Sequence, residues 1–364
     1  PLPRRSAMLS ALTPSPSSAA RHHPRVLCHD NARNRDLVAA LPQLQQPFRP
    51  TPWLFNPHLQ MVLVNMRNGR RDRDYDHLET LTMSDGGHTA LAWRGHDLPA
   101  DTPTVVVLHT ISGSPESMAE LVRDVQAATG WRIVLCIRRG HAGLPLPVPR
   151  LNILGSTQDL REQLAVIRQR FPDSPLYGIG SSAGSGLLVR FLGEEGTAAP
   201  FRASFAYCPG YNTDEAFDKT HPFYSRYIVK KLVQRLIQPH TETLGHLPTV
   251  QQLSKAETLA EFHRHMFELA GYGSYDDYSA ASNPMRVFDN ISTPMMILNA
   301  EDDPICRISN VEPYLDAMQK MPNVILVTTS QGSHCAHYEG WPARSWSSRL
   351  MGNYFLAVHG QESV

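Results

Sequence analysis

The stretch "YGIGSSAGSG" (residues 177–186) decides how the rest of the chain is read. An apolar run ending in glycine precedes it, and "SGLLVRFLGEEG" follows, with Leu187, Leu188, Phe191 and Leu192 at helical spacing. Only Ser182 has a glycine two positions away on each side, Gly180 and Gly184. Strand, G-x-S-x-G, helix is the context of a nucleophile elbow, a turn that lifts a serine hydroxyl above a sheet edge. The turn demands small neighbours, and the helix that follows aims its positive end at developing negative charge. Ser181 and Ser185 read as present for their size.

Outward from this turn the chain alternates strands and helices. "TVVVLH" (104–109), "WRIVLCI" (131–137), "RASFAYC" (202–208), "PMMILNA" (294–300) and "NVILVTT" (323–329) are continuous apolar runs, the pattern of strands buried on both faces. "LETLTM" and "HTALAW" around "SDGG" read as a hairpin. A helix capped by Ser156 or Thr157 fits Leu160, Leu164, Ile167 and Phe171. The expected fold class is α/β: a mostly parallel central sheet with helices on both faces. Between residues 211 and 290 the rhythm breaks into helical patterns, one of them over 255–269. A helical cap over a site is expected there, with Phe223, Tyr227, Ile228, Leu232, Leu236 and Ile237 forming an apolar stripe read as core contact.

A serine nucleophile needs a base, and the base an orienter. Downstream, "NAEDDPI" puts Asp302 and Asp303 after one strand, and "SQGSHCAHYEG" puts His334 and His337 after the last. Ser, acid, His is the order this architecture uses. Adjacent residues of an extended segment point opposite ways; Asp303 and His334 are the preferred pair, with His337 as packing or surface. The oxyanion would be held by the backbone N–H of Ala183 and of Ile111, the latter preferred over Thr110 in "HTISGSPES" (109–117). No cofactor and no metal are expected; a His334/His337 metal pair lacks further ligands nearby in sequence.

Composition narrows the partners. Thirty-four basic and 34 acidic residues give a formal net charge of zero, no electrostatic reason for nucleic acid. No apolar run is long enough for a transmembrane segment. Five cysteines (Cys28, Cys136, Cys208, Cys306, Cys335), none in C-x-x-C, suit a reducing compartment, organellar or cytoplasmic. The first 29 residues carry four arginines and no acid, so residues 1–47 are expected to be an extension, either a mitochondrial-type transit peptide or a disordered tail. The hydrolase domain is expected over 48–357 and a tail over 358–364.

Several stretches resemble the AB hydrolase 4 family, the YheT-like esterases and their abhydrolase-domain relatives in plants and animals: "WLFNPHLQMV" (53–62), "IRRGHAGLPLPVPRLNILGSTQDLREQL" (137–164), "FLGEEG" (191–196), "YGSYDDYSAAS" (272–282), "LNAEDDPI" (298–305) and "GSHCAHYEG" (332–340). The resemblance runs from about residue 48 to 357. It implies an α/β-hydrolase fold with Ser182 as nucleophile, Asp303 as acid and His334 as base, acting on acyl esters including glycerolipids and phospholipids. The family usually has His-Gly where this chain has His109-Thr110, which puts the second oxyanion donor in question because a β-branched residue resists backbone geometry open to glycine. The expected partner is a small-molecule acyl ester, cleaved by a serine hydrolase. The alternatives are acyl transfer to an alcohol on the same machinery, and a catalytically weakened relative serving as a structural or assembly subunit of a protein complex.

Overall fold

The computed structural model describes residues 22–67 and 75–362. Its centre is a nine-stranded sheet in the order β1-β9-β8-β7-β6-β4-β5-β3-β2. The strands are β1 (Arg25–Cys28), β2 (His77–Thr82), β3 (His88–Arg94), β4 (Thr104–Leu108), β5 (Arg132–Ile137), β6 (Leu176–Ser181), β7 (Phe201–Tyr207), β8 (Met295–Ala300) and β9 (Val324–Thr329). From β5 across to β9 neighbouring strands are parallel; β1, β2 and β3 pair antiparallel at the flanks. The β2–β3 turn closes with Met83 N–H on Gly87 O, and Gly86 supplies its positive φ of 84°.

The apolar strands bury both faces because alternate side chains enter different layers. Val105, Val107, Ile133, Leu135, Ile179 and Phe205 face one core, covered by the helices Pro115–Thr129 and Trp346–Glu362. Val106, Leu108, Val134 and Ile297 face the other, with Leu160, Leu164 and Ile167 of the helix Thr157–Arg170 and Leu188 of the helix Ala183–Glu195. Ser156 caps the Thr157 helix by accepting the N–H of Asp159. Crossovers between parallel strands place both helical layers, and every strand of the parallel block ends on the same edge.

Between β7 and β8 the chain forms helices only, among them Thr213–Lys219, Pro222–Leu232, Pro248–Lys255, Leu259–Arg264 and Tyr275–Ser282. They have a core of their own, in which Leu232, Leu236, Leu253, Phe262 and Tyr278 meet Leu151 and Ile153 from the loop after β5. The single helix expected over 255–269 is instead divided. Thr258 and Glu261 form a reciprocal capping box that starts a new helix at Leu259, and His265 ends it. The apolar stripe also splits: the helix Pro222–Leu232 passes into a π turn, Val233–Ile237, that changes the face presented. Leu232, Leu236 and Ile237 are buried, while Phe223 (66% exposed) and Tyr227 (46%) are not.

The termini depart from expectation as well. Residues 1–21 lie outside the described part, but the rest of the expected 1–47 extension belongs to the domain. β1 pairs with β9 from Arg25↔Thr328 to Cys28↔Ile325. Asn31 caps the helix Ala32–Ala40, and the Asn31 and Asn34 amides donate to Pro322 O, tying the segment to the chain entering β9. Leu37, Leu41, Leu44 and Phe48 are buried in the main core. At the other end, the helix Trp346–Glu362 carries the chain through most of the expected 358–364 tail, with Val358 fully buried.

Candidate functional site

The three preferred residues meet above the carboxyl edge of the parallel strands. Ser182 follows β6 with φ 53° and ψ −117°, an outlying conformation for a non-glycine residue. Both flanking glycines are demanded by contact. A Cβ on Gly180 would stand 2.5 Å from Gly184 O, and one on Gly184 would stand 2.1 Å from Leu108 O. Ser182 N–H donates to Tyr207 O at 2.8 Å, pinning the turn to β7. Ser185 is more than small: its hydroxyl bonds Gly180 O at 2.6 Å and Tyr207 O at 3.1 Å, stapling the turn from beneath. Ser181 Oγ likewise has a partner, Cys335 Sγ at 3.5 Å.

His334 Nε2 lies 2.8 Å from Ser182 Oγ, and His334 Nδ1 lies 2.7 Å from Asp303 Oδ2. Asp303 is buried, and its other oxygen accepts the N–H groups of Ile305 (2.7 Å) and Cys306 (2.9 Å). The carboxylate is therefore fixed as the Nδ1 acceptor, leaving Nε2 toward the serine. Burial pulls the His334 pKa down, but the Asp303 carboxylate and the thiols of Cys335 and Cys306 outweigh it and hold the ring well above its ordinary value.

The second member of each pair has a separate position. Asp302 Oδ1 accepts the N–H of Ser333 at 2.8 Å, anchoring the loop that carries His334. Burial first, then the neighbouring Asp303 charge, pushes the Asp302 carboxyl up to about 6 against the Ser333 hydrogen bond. His337 is buried between Tyr207 Oη (3.0 Å) and Thr329 Oγ1 (2.9 Å). Burial, then the charge of His334, lowers it to about 3. It is a packing residue of the interior, not of the surface.

Thr110 does not have a positive φ, the conformation that would call for glycine. Among the described residues, the non-glycine positions with positive φ are Ala142, Ser182, Cys208, Ser333 and Cys335, and Thr110 is not one of them. Its carbonyl is held by three donors: Arg138 Nη2 at 2.6 Å, His109 Nδ1 at 2.8 Å and Gly113 N–H at 3.0 Å. His109 Nε2 accepts the Arg138 N–H, which leaves the ring proton on Nδ1. A trans peptide sets C=O and N–H on opposite sides, so the Ile111 N–H points away from Arg138. Among the described residues it has no acceptor, and neither has Ala183 N–H.

Arg138 was not legible as part of this region. Buried, it also donates from Nη1 to His109 O at 3.0 Å. Burial, then the charge of Arg190, lowers its pKa to about 9, still protonated at neutral pH. Its sequence signals are its place immediately after β5 and within the stretch 137–164.

Ser182, Ala183, Ile111 and His334 line an open cleft. Its walls are largely apolar, with Met61 and Val64 from the helix Pro57–Arg67 and Phe217, Tyr224 and Ile228 from the helical segment. His58 Nδ1 and Tyr224 Oη, 2.7 Å apart, join the two walls. Among the described residues no helix is long and apolar enough to cross a membrane.

Comparison with known proteins agrees with this architecture. The chain is 28% identical to the bovine (Bos taurus) protein named phospholipase ABHD3, over 95% of this chain and 87% of that one. It is 26% identical to medium-chain fatty acid ethyl ester synthase/esterase 2 of Saccharomyces cerevisiae, over 70% of this chain and 62% of that one. Among solved structures, the Pyrococcus furiosus esterase Pf2001 superposes with a TM-score of 0.53 at 16% identity, covering 78% of this chain and 92% of that one. That likeness is one of fold. Residues 103–340 match the family described as alpha/beta hydrolase fold, and the chain belongs to that family.

Proposed function

We propose that this protein is a serine hydrolase of carboxylic esters with lipid-like acyl groups, of the AB hydrolase 4 type. The observation that carries the reading is the hydrogen-bonded series Ser182–His334–Asp303 opening into an apolar cleft. Ser182 Oγ attacks the ester carbonyl as His334 Nε2 takes its proton, and Asp303 steadies the resulting imidazolium without becoming protonated. The N–H groups of Ala183 and Ile111 hold the oxyanion, and the Arg138 clamp on Thr110 O presets the second of them. His334 returns the proton to the departing alcohol. Water, activated by the same ring, then releases the acid from the acyl-enzyme.

The relatives named as phospholipase and as ethyl ester synthase/esterase support an acyl ester substrate. A role as an inactive subunit loses its main sequence support, since Thr110 needs no glycine-like backbone. The test is labelling with a fluorophosphonate probe. The wild-type chain should label and the Ser182→Ala variant should not. A folded wild-type protein that fails to label removes the hydrolase reading.

A further inference from the structure

Three thiols stand around His334 that ester cleavage does not use. Cys208, just past β7, is fully buried; its Sγ accepts the Cys335 N–H at 3.3 Å and donates to Ser333 O at 3.8 Å. Cys335 is half-buried and lines the cleft beside Ser182. The two sulfurs and a ring nitrogen of His334 all lie within 4.8 Å of one another. Cys306 Sγ and an Asp303 oxygen form a similar group with His334.

We infer that Cys208, Cys335 and His334 form a binding site for a thiophilic divalent cation, zinc foremost, that overlaps the base of the hydrolase. Two thiolates and an imidazole are a zinc donor set that leaves a fourth position open, here toward the cleft. Zinc sits about 2.3 Å from sulfur and about 2.0 Å from nitrogen, so tetrahedral donors lie about 3.5–3.8 Å apart. Donors already within 4.8 Å reach that spacing by closing inward about 1 Å. Binding replaces the two S–H protons, which pass to solvent, and takes His334 as the neutral ring. Magnesium and calcium prefer oxygen ligands and have no such match here.

The cation is an inhibitor and not a resident cofactor. Both ring nitrogens of His334 are already engaged, Nδ1 by Asp303 and Nε2 by Ser182. An ion on Nε2 takes the base from the serine, and one on Nδ1 takes the orienting carboxylate from the base. The inhibition rests on the ester-hydrolase reading; occupancy of the site does not.

The experiment titrates cobalt(II), a spectroscopic stand-in for zinc, into the reduced full chain and into its Ser182→Ala variant. One ion per chain, with a near-ultraviolet thiolate-to-cobalt charge-transfer band, is expected in both. The band should be lost in Cys208→Ser and in Cys335→Ser, each checked for folding by its melting curve. With the wild type, zinc at ten times its measured Kd should leave about a tenth of the ester hydrolysis, restored by a chelator and unaffected by equal magnesium. In Cys208→Ser the zinc needed for half-inhibition should rise at least tenfold. Zinc inhibition that persists unchanged in that variant, without a thiolate band, puts the ion on His334 alone and overturns the proposal, as does an absence of cobalt binding. A thiolate band in a wild type that cleaves no ester upholds the site and removes the hydrolase reading instead.

Discussion

Replacing Arg138 with methionine should separate catalysis from stability. The Arg138 side chain is buried, donates to the carbonyls of His109 and Thr110, and leaves Nε without a partner among the described residues. Hydrogen bonds from a charged donor contribute about 1.5–3 kcal/mol each. Against them stands the cost of burying the ion, several kcal/mol after relaxation. These nearly cancel, so Arg138→Met should move stability by no more than about 2 kcal/mol, a melting shift of a few degrees for a chain of this size. Activity should respond differently, because the Thr110–Ile111 peptide loses its shortest tether. Removing an oxyanion donor outright costs about 10²–10³ in kcat. His109 Nδ1 and Gly113 N–H still hold Thr110 O, so a partial loss of about 10–10² is expected, with KM little changed. The assay is steady-state hydrolysis of a p-nitrophenyl ester beside thermal melts of the same preparation. A kcat within twofold of wild type, with the melt unchanged, would refute the assignment of Ile111 N–H as a donor preset by Arg138. A loss of more than ten degrees in melting temperature would refute the energetic cancellation.

Three further outcomes are expected. Gly184→Ala drives a Cβ into Leu108 O, backbone that cannot step aside; the melt should fall by more than about 3 kcal/mol equivalent, and fluorophosphonate labelling should be lost. His334 must be neutral to accept the serine proton, so kcat/KM should fall as pH drops through a pKa above the ordinary 6.5 of histidine; Asp303→Asn should move that limb downward and cut kcat by about 10⁴, and a limb below 6.5 in the wild type would contradict the electrostatics. Asp302 has its folded pKa raised to about 6 from 3.8, so the folded state holds its proton more tightly and stability from this group declines as pH rises from about 4 through 6. Asp302→Asn keeps an acceptor for Ser333 N–H and should therefore melt higher than wild type at pH 7.5, by at most about 3 kcal/mol, the gap closing toward pH 4; an equal or lower melt at pH 7.5 would count against it.

Most of the sheet was legible because its inner strands are buried on both faces and so read as unbroken apolar runs, as "TVVVL" does in β4. The elbow was legible for a steric reason: nothing but hydrogen fits at Gly180 or Gly184. The opposed directions of adjacent side chains limited the acid to one of Asp302 and Asp303, the place before Pro304 and the resemblance favoured Asp303, and the geometry adds what Asp302 does with its own direction. β1 escaped notice since four half-buried residues, "RVLC", carry no period. Leu37, Leu41 and Leu44 were hidden behind a polar composition whose apolar residues are sparse but well placed. Arg138, and the convergence of Cys208, Cys306 and Cys335 on one histidine, depend on which loops the sheet order brings together. No local spacing encodes that.

The pairing of β1 with β9 has a consequence for how the chain is made. Arg25 to Cys28 leave the ribosome about three hundred residues before their partners Ile325 to Thr328. Closing that pair is among the longest-range contacts in the fold, and such contacts form late because the loop entropy must be met before they contribute. Until then β9 has no cover on its outer side, an open template for another strand. The first strand of the sheet thus docks late, and a chain trimmed just after Cys28, which keeps the buried Leu37, Leu41 and Leu44, should complete its site yet associate edge to edge.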